Sequence, residues 1–161
     1  MPMEIRDADL ADPADAAAVV AIVDAYASDP MGGGARLSDE IRTRLVPGLR
    51  AHPTALVLLA FLDGRAVGVA VCFVGFSTFR ARPLLNVHDL AVVHEARGRG
   101  VGRALLAAVE DRARARGCCK LTLEVLEENR PARALYARVG FGDVAGGDSA
   151  STRFLAKALD P

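Results

Sequence analysis

Arg97-Gly98-Arg99-Gly100-Val101-Gly102 lies between an apolar run, Leu84 to Val93, and a stretch with helical apolar spacing, Val101 to Ala115. A strand here turns through glycines straight into a helix. Such a junction leaves the first backbone N–H groups of the helix without partners at the positive end of its dipole, and the glycines keep side-chain bulk away. That suits phosphate or pyrophosphate. Counting excludes two familiar phosphate loops. A dinucleotide fingerprint begun at Gly98 needs a third glycine where the chain has Arg103. A Walker loop begun at Gly98 needs Gly-Lys-Ser/Thr where the chain reads Arg103-Ala104-Leu105.

Outward from this loop, the period of the apolar residues divides the chain. Met3 to Ala8 reads as a short first strand. Pro13 through Ala27 is alanine-rich, with Val19, Val20, Val23 and Tyr26 at helical spacing and Asp12 placed to cap it before a proline. Pro30 to Ala35, with Gly32-Gly33-Gly34, breaks that helix as a loop. Ser38 caps a second helix, Asp39 to Arg50. Ala55 to Leu62 and Ala66 to Gly75 are strands joined by Asp63-Gly64, a hairpin signal. After Leu84 to Val93, the loop and the helix come a strand, Lys120 to Leu126, a helix, Glu128 to Val139, and a last strand, Ser151 to Ala158. A hairpin followed by βαβ units predicts an α/β fold, a mixed sheet with helices on both faces.

The chain has 161 residues and is 52% hydrophobic, which fits a single domain, 1–161, with one core. Twenty basic and 20 acidic residues give zero formal net charge, so nothing draws the chain toward nucleic acid or an anionic membrane. No apolar run approaches membrane-spanning length and no secretory signal is evident, so no membrane partner is expected and the cytoplasm is the expected compartment. Cys72, Cys118 and Cys119 have neither metal-ligand spacing nor a disulfide framework; they read as small buried residues, and no metal is expected.

A second constellation lies downstream: Asn129-Arg130-Pro131-Ala132-Arg133-Ala134-Leu135-Tyr136, closed by Gly140-Phe141. Asn129 and Tyr136 are seven apart, two helical turns, and so project from one side. Ala132, Leu135 and Val139 fall on a neighbouring, core-like side. Together, Arg-x-x-Gly-x-Gly at 97–102 and this Asn…Leu-Tyr…Gly-Phe segment resemble the two signatures of the GNAT superfamily of N-acetyltransferases. The order of strands and helices resembles the family's across nearly the whole chain. The resemblance implies the GNAT fold, a mostly antiparallel sheet with one splayed parallel pair, and acetyl-CoA as cosubstrate.

It also implies roles. The pyrophosphate would lie on Arg97, Gly98, Arg99, Gly100, Val101, Gly102 and Arg103. Backbone of the preceding strand at Leu90, Ala91 and Val92 would bind pantetheine, with the Leu90 N–H polarising the thioester carbonyl. Tyr136 would protonate the departing thiolate, a phenol with an ordinary pKa near 10 standing above a thiol near 8.5. Asn129 is a helix N-cap, a pantetheine contact, or both. The family's frequent glutamate on this strand is replaced by Asn86, which is no base. Strand alternation groups Asn86, His88, Leu90 and Val92 on one face, with Val87, Asp89 and Ala91 on the other. That leaves His88, or a chain of waters, to take the amine proton, since imidazoles ionise near neutrality. Asp89 reads as structural, beside an arginine or a helix end.

The acceptor side would be built from Tyr26 to Arg36, Phe73 to Arg82 and Gly142 to Thr152. The resemblance thus implies acetyl transfer to a primary amine by direct attack in a ternary complex, from a chain that pairs as a homodimer in many members. The competing class is a non-catalytic acyl-CoA-binding sensor or partner module, which gives Tyr136 and His88 no role.

Overall fold

The computed structural model describes residues 2–142 and 155–159. Its order is β1 (Met3–Asp7), α1 (Pro13–Ser28), α2 (Asp39–Ala51), β2 (Ala55–Leu62), β3 (Arg65–Ser77), β4 (Arg82–Val92), a 3-10 turn (His94–Ala96), α3 (Val101–Ala115), β5 (Leu121–Leu123) and α4 (Arg130–Arg138). The strands form one five-stranded sheet in the order β1-β2-β3-β4-β5. All neighbours are antiparallel except β4 and β5, which run parallel. This is the mixed sheet flanked by helices that the sequence predicts.

Local chemistry accounts for the element ends. The Asp12 carboxylate accepts from the N–H of Asp15 and Pro13 opens α1, where no donor is needed. Ser38 Oγ accepts from the Ile41 N–H and starts α2. Asp63 and Gly64 both take positive φ, 52° and 76°, the conformation of a tight two-residue hairpin.

The sheet separates two apolar layers. On one face Leu56, Leu58, Ala70, Leu85 and Val87 pack with Val101, Leu105, Leu106 and Val109 of α3. On the other, Val57, Leu59, Val69, Val71 and Ala91 pack with Val19 and Ile22 of α1 and Val46 and Leu49 of α2. β2 is buried on both faces, which is why it reads as an unbroken apolar run. Gly68 lets α3 close on the sheet: a Cβ there would stand 3.0 Å from Leu105 and Val101.

Strand bounds differ from expectation at three places. β3 and β4 continue toward each other to Ser77 and Arg82, because their ladder holds through Ser77 opposite Arg82. β5 is three residues rather than Lys120 to Leu126, because its only neighbour pairs with it just from Leu85 to Val87. Of the expected last strand, residues 151–154 lie outside the described residues, and residues 155–158 carry no regular structure.

The most consequential difference lies within β4. Val71 pairs with Asp89 but Cys72 pairs with Val87, so His88 has no partner across the ladder. This β-bulge inverts the alternation beyond it. Leu85 and Val87 therefore share the α3 face with Leu90 and Val92, while Ala91 joins the α1–α2 layer. The expected grouping of His88 with Leu90 and of Val87 with Ala91 is corrected accordingly.

Candidate active site

Pairing with β5 ends at Val87, yet β4 runs on to Val92. The fork opens into a cleft of about 700 Å³. β4 contributes Leu90, Ala91 and Val92 to its wall; the loop and α3 contribute Arg97, Gly98, Gly100, Val101, Gly102 and Arg103; α4 contributes Asn129 and Tyr136. Of the residues expected at the site, Arg99 and His88 do not line it. Arg99 is exposed, and the bulge leaves the exposed His88 ring edge-on to Phe73, 5.6 Å between centroids.

The loop is built as its glycines require. Gly98 and Gly100 take φ of 73° and 82°, left-handed values that a side chain resists. Gly100 caps α3 with no side chain, so the first-turn N–H groups stay free at the cleft. A Cβ at Gly102 would stand 3.1 Å from Leu135 Cδ2, so glycine lets α4 approach the first turn of α3. Arg97 Nε donates to the Val92 carbonyl at 3.1 Å, tying the loop back to β4.

Tyr136 is half-buried, its ring edge-on to Phe141 at 5.8 Å. Burial, with a smaller push from Tyr26, raises its phenol above the ordinary value and keeps the proton on. The Asn129 side-chain oxygen accepts from the Ala132 N–H at 3.3 Å, so it is the α4 N-cap while also lining the cleft.

Of the stretch expected on the acceptor side, Tyr26, Asp29 and Met31 line the cleft; Tyr26 had also read as part of the α1 apolar stripe and Asp29 as an ordinary loop residue. Asp89 has neither the arginine nor the helix end expected for it: among the described residues its carboxylate makes no hydrogen bond or ion pair. Burial raises its pKa, partly offset by His88. Cys72 is buried within the sheet, its thiol pushed up to about 12 by burial, which suits packing and not nucleophilic attack. Among the described residues no cluster of His, Cys, Asp or Glu could hold a metal ion, and no helix is long and apolar enough to cross a membrane.

A fork between parallel strands, a glycine turn opening a helix, and a half-buried phenol thus meet around one cleft. The profile of the Acetyltransferase (GNAT) family matches residues 20–141. An uncharacterised N-acetyltransferase of Bacillus subtilis (strain 168), YhfO, is 31% identical over 150 residues, 89% of this chain and 93% of that protein. The streptothricin acetyltransferase of Streptomyces lavendulae is 40% identical over 79 residues, 49% of this chain and 40% of that protein. In fold, the crystal structure of a possible acetyltransferase from Clostridium difficile 630 superposes with a TM-score of 0.78 at 17% identity, over 99% of this chain and 100% of that one. The chain belongs to the acetyltransferase (GNAT) family and is an acyltransferase enzyme.

Proposed function

We propose that the chain transfers an acetyl group from acetyl-CoA to a primary amine by direct attack within a ternary complex. The observation that carries this reading is one cleft lined by the free end of α3, the unpartnered edge of β4 and the Tyr136 phenol. The donor set fits the cosubstrate: Arg97, Arg103 and the N-terminus of α3 offer charge and N–H groups to a pyrophosphate. The fork beyond Val87 suits an extended pantetheine arm. When bound, acetyl-CoA supplies the thioester carbon that the amine attacks and the thiolate that departs.

The chain's own groups do the rest. The Leu90 N–H stabilises the negative charge that grows on the carbonyl oxygen, with the Val92 N–H on the same edge steadying the arm, while Ala91 turns its N–H to β3 and lends only its place in the cleft wall. Asn129 holds the start of α4 against the cleft. Tyr136 stays protonated at neutral pH and donates its Oη proton to the leaving sulfur, whose charged form the same partly dry cleft disfavours. The amine loses its proton through water relayed by His88, which stands outside the cleft lining. Every group in this scheme comes from one chain, whether or not copies pair, and its setting is the cytoplasm.

The test is Tyr136→Phe, assayed by thiol release over a panel of amines and by isothermal titration of acetyl-CoA. The expected outcome is a loss of turnover of about 10²-fold or more with acetyl-CoA affinity retained. Unchanged turnover removes Tyr136 from the mechanism. Binding without turnover on any amine supports a non-catalytic acyl-CoA-binding module instead. No binding by the unaltered chain overturns the cosubstrate assignment.

A further inference from the structure

The connection between α1 and α2 is organised by one residue, Asp29. Its carbonyl accepts from the N–H groups of Gly32 (2.8 Å), Gly33 (3.2 Å) and Gly34 (3.1 Å), and its own N–H donates to the Tyr26 carbonyl at 3.0 Å. Its Oδ1 accepts from the Met31 N–H at 2.9 Å. Gly32 is folded so closely on the end of α1 that a Cβ there would fall 1.9 Å from the Tyr26 carbonyl oxygen. Only Oδ2 is left over, and it takes Arg97 Nη2 at 3.0 Å. Asp29 and Arg97 both line the cleft, 68 residues apart in sequence. The connection that walls the acceptor side is thereby tied to the loop proposed to hold pyrophosphate.

This pair is poised to exchange partners. The Arg97 side chain is 49% exposed and that of Asp29 23%, so the ion pair is screened by water and weak. A pyrophosphate carries more charge than a carboxylate and meets Arg97, Arg103 and the α3 N-terminus at once. When Arg97 turns to it, Asp29 keeps its negative charge and loses its cation. Apart from Arg97, the exposed His94 of the 3-10 turn is the side chain that acts electrostatically on Asp29. A carboxylate left in this state attracts an ammonium. The attacking nitrogen must itself be neutral, so the ammonium that Asp29 holds is a second one on the same acceptor.

We infer that Asp29 determines acceptor specificity: it occupies Arg97 until acyl-CoA arrives, and its released carboxylate then selects an amine that bears a second positive charge. This rests on the acetyl-CoA reading above. It couples the two ligands through one guanidinium.

The test uses isothermal titration of α,ω-diaminoalkanes and matching monoamines into the free chain and into its complex with CoA, for the unaltered chain and Asp29→Asn. The asparagine keeps an oxygen for the Met31 N–H; Asp29→Ser keeps one too and serves if the first variant melts early. The expected result is diamine binding tighter by about tenfold in the CoA complex than in the free chain, within the usual range of site-to-site coupling. Asp29→Asn loses that gain and binds CoA more tightly than the unaltered chain. Diamine affinity indifferent to CoA, or unchanged in Asp29→Asn, overturns the inference while leaving the acetyl-CoA assignment standing. Failure of the unaltered chain to bind CoA overturns that assignment and the inference with it.

Discussion

Tyr136 illustrates what a single side chain contributes and how to read it. Burial raises its phenol above the ordinary value near 10, so the proton-bearing form persists through neutral and mildly alkaline pH. Activity that needs this proton is fully present below the raised value and lost only as pH climbs through it. The alkaline limb of kcat, measured on the amine that reacts fastest, should therefore lie above about pH 10. A limb at lower pH that survives in Tyr136→Phe assigns the titration to another group. At this scale the loop and α4 positions were legible in the sequence, because glycines and a helical Asn–Tyr interval carry their geometry with them. His88 was not. A bulge adds one residue without a local signal, and an exposed histidine is equally at home on either face of a strand.

Among the elements, α1 is held by contacts that no periodicity announces. The buried Asp15 carboxylate accepts from Arg6 Nη1 at 2.6 Å and Nη2 at 2.8 Å, and from the Asp9 N–H at 2.8 Å. Asp24 accepts from the Leu37 N–H at 2.8 Å and from Arg36, joining the far end of α1 to the start of α2. The Arg6 hydrogen bonds hold Asp15 below the usual carboxylate range, and the Leu37 N–H does most to hold Asp24 there. With folded values depressed, this stability is present above the unfolded value near 4 and is lost as pH falls through the folded ones. Thermal melts should show a steep fall in stability below about pH 4. Asp15→Asn should soften that fall and cost about 2 kcal/mol at neutral pH, since Arg6 loses its charge partner. An unaltered acid profile would detach Asp15 from it. The cap and apolar stripe of α1 could be read from its own residues; the Arg6 pair could not, because it depends on which strand end the helix crosses. β5 was over-extended for a related reason: a strand lasts only as long as its neighbour stays beside it, and β4 leaves at the bulge.

At the scale of the molecule, the two helical layers meet at the cleft, α1 from one face of the sheet and α3 with α4 from the other. A ligand that touches both layers should stabilise them together. Acetyl-CoA at 100 times its dissociation constant should add about 2.7 kcal/mol, roughly 5–10 °C in melting temperature for a chain of this size. A melt unmoved by acetyl-CoA would contradict its binding here. The element order was visible from one end of the sequence to α4, and it carried the fold; the fork was not, since it arises from two strands parting company. The fork and the glycine turn also make this a site written in peptide bonds. Gly98, Gly100 and the stretch of β4 beyond Val87 offer main-chain groups that every residue possesses. Alanine scanning along β4 passes over such a surface with little to report, although alanine at Gly98 or Gly100 meets the positive φ. The perturbation that reaches it is atomic: exchanging the Leu90 amide for an ester puts an oxygen in place of the N–H, removing that one donor while leaving every side chain where it was.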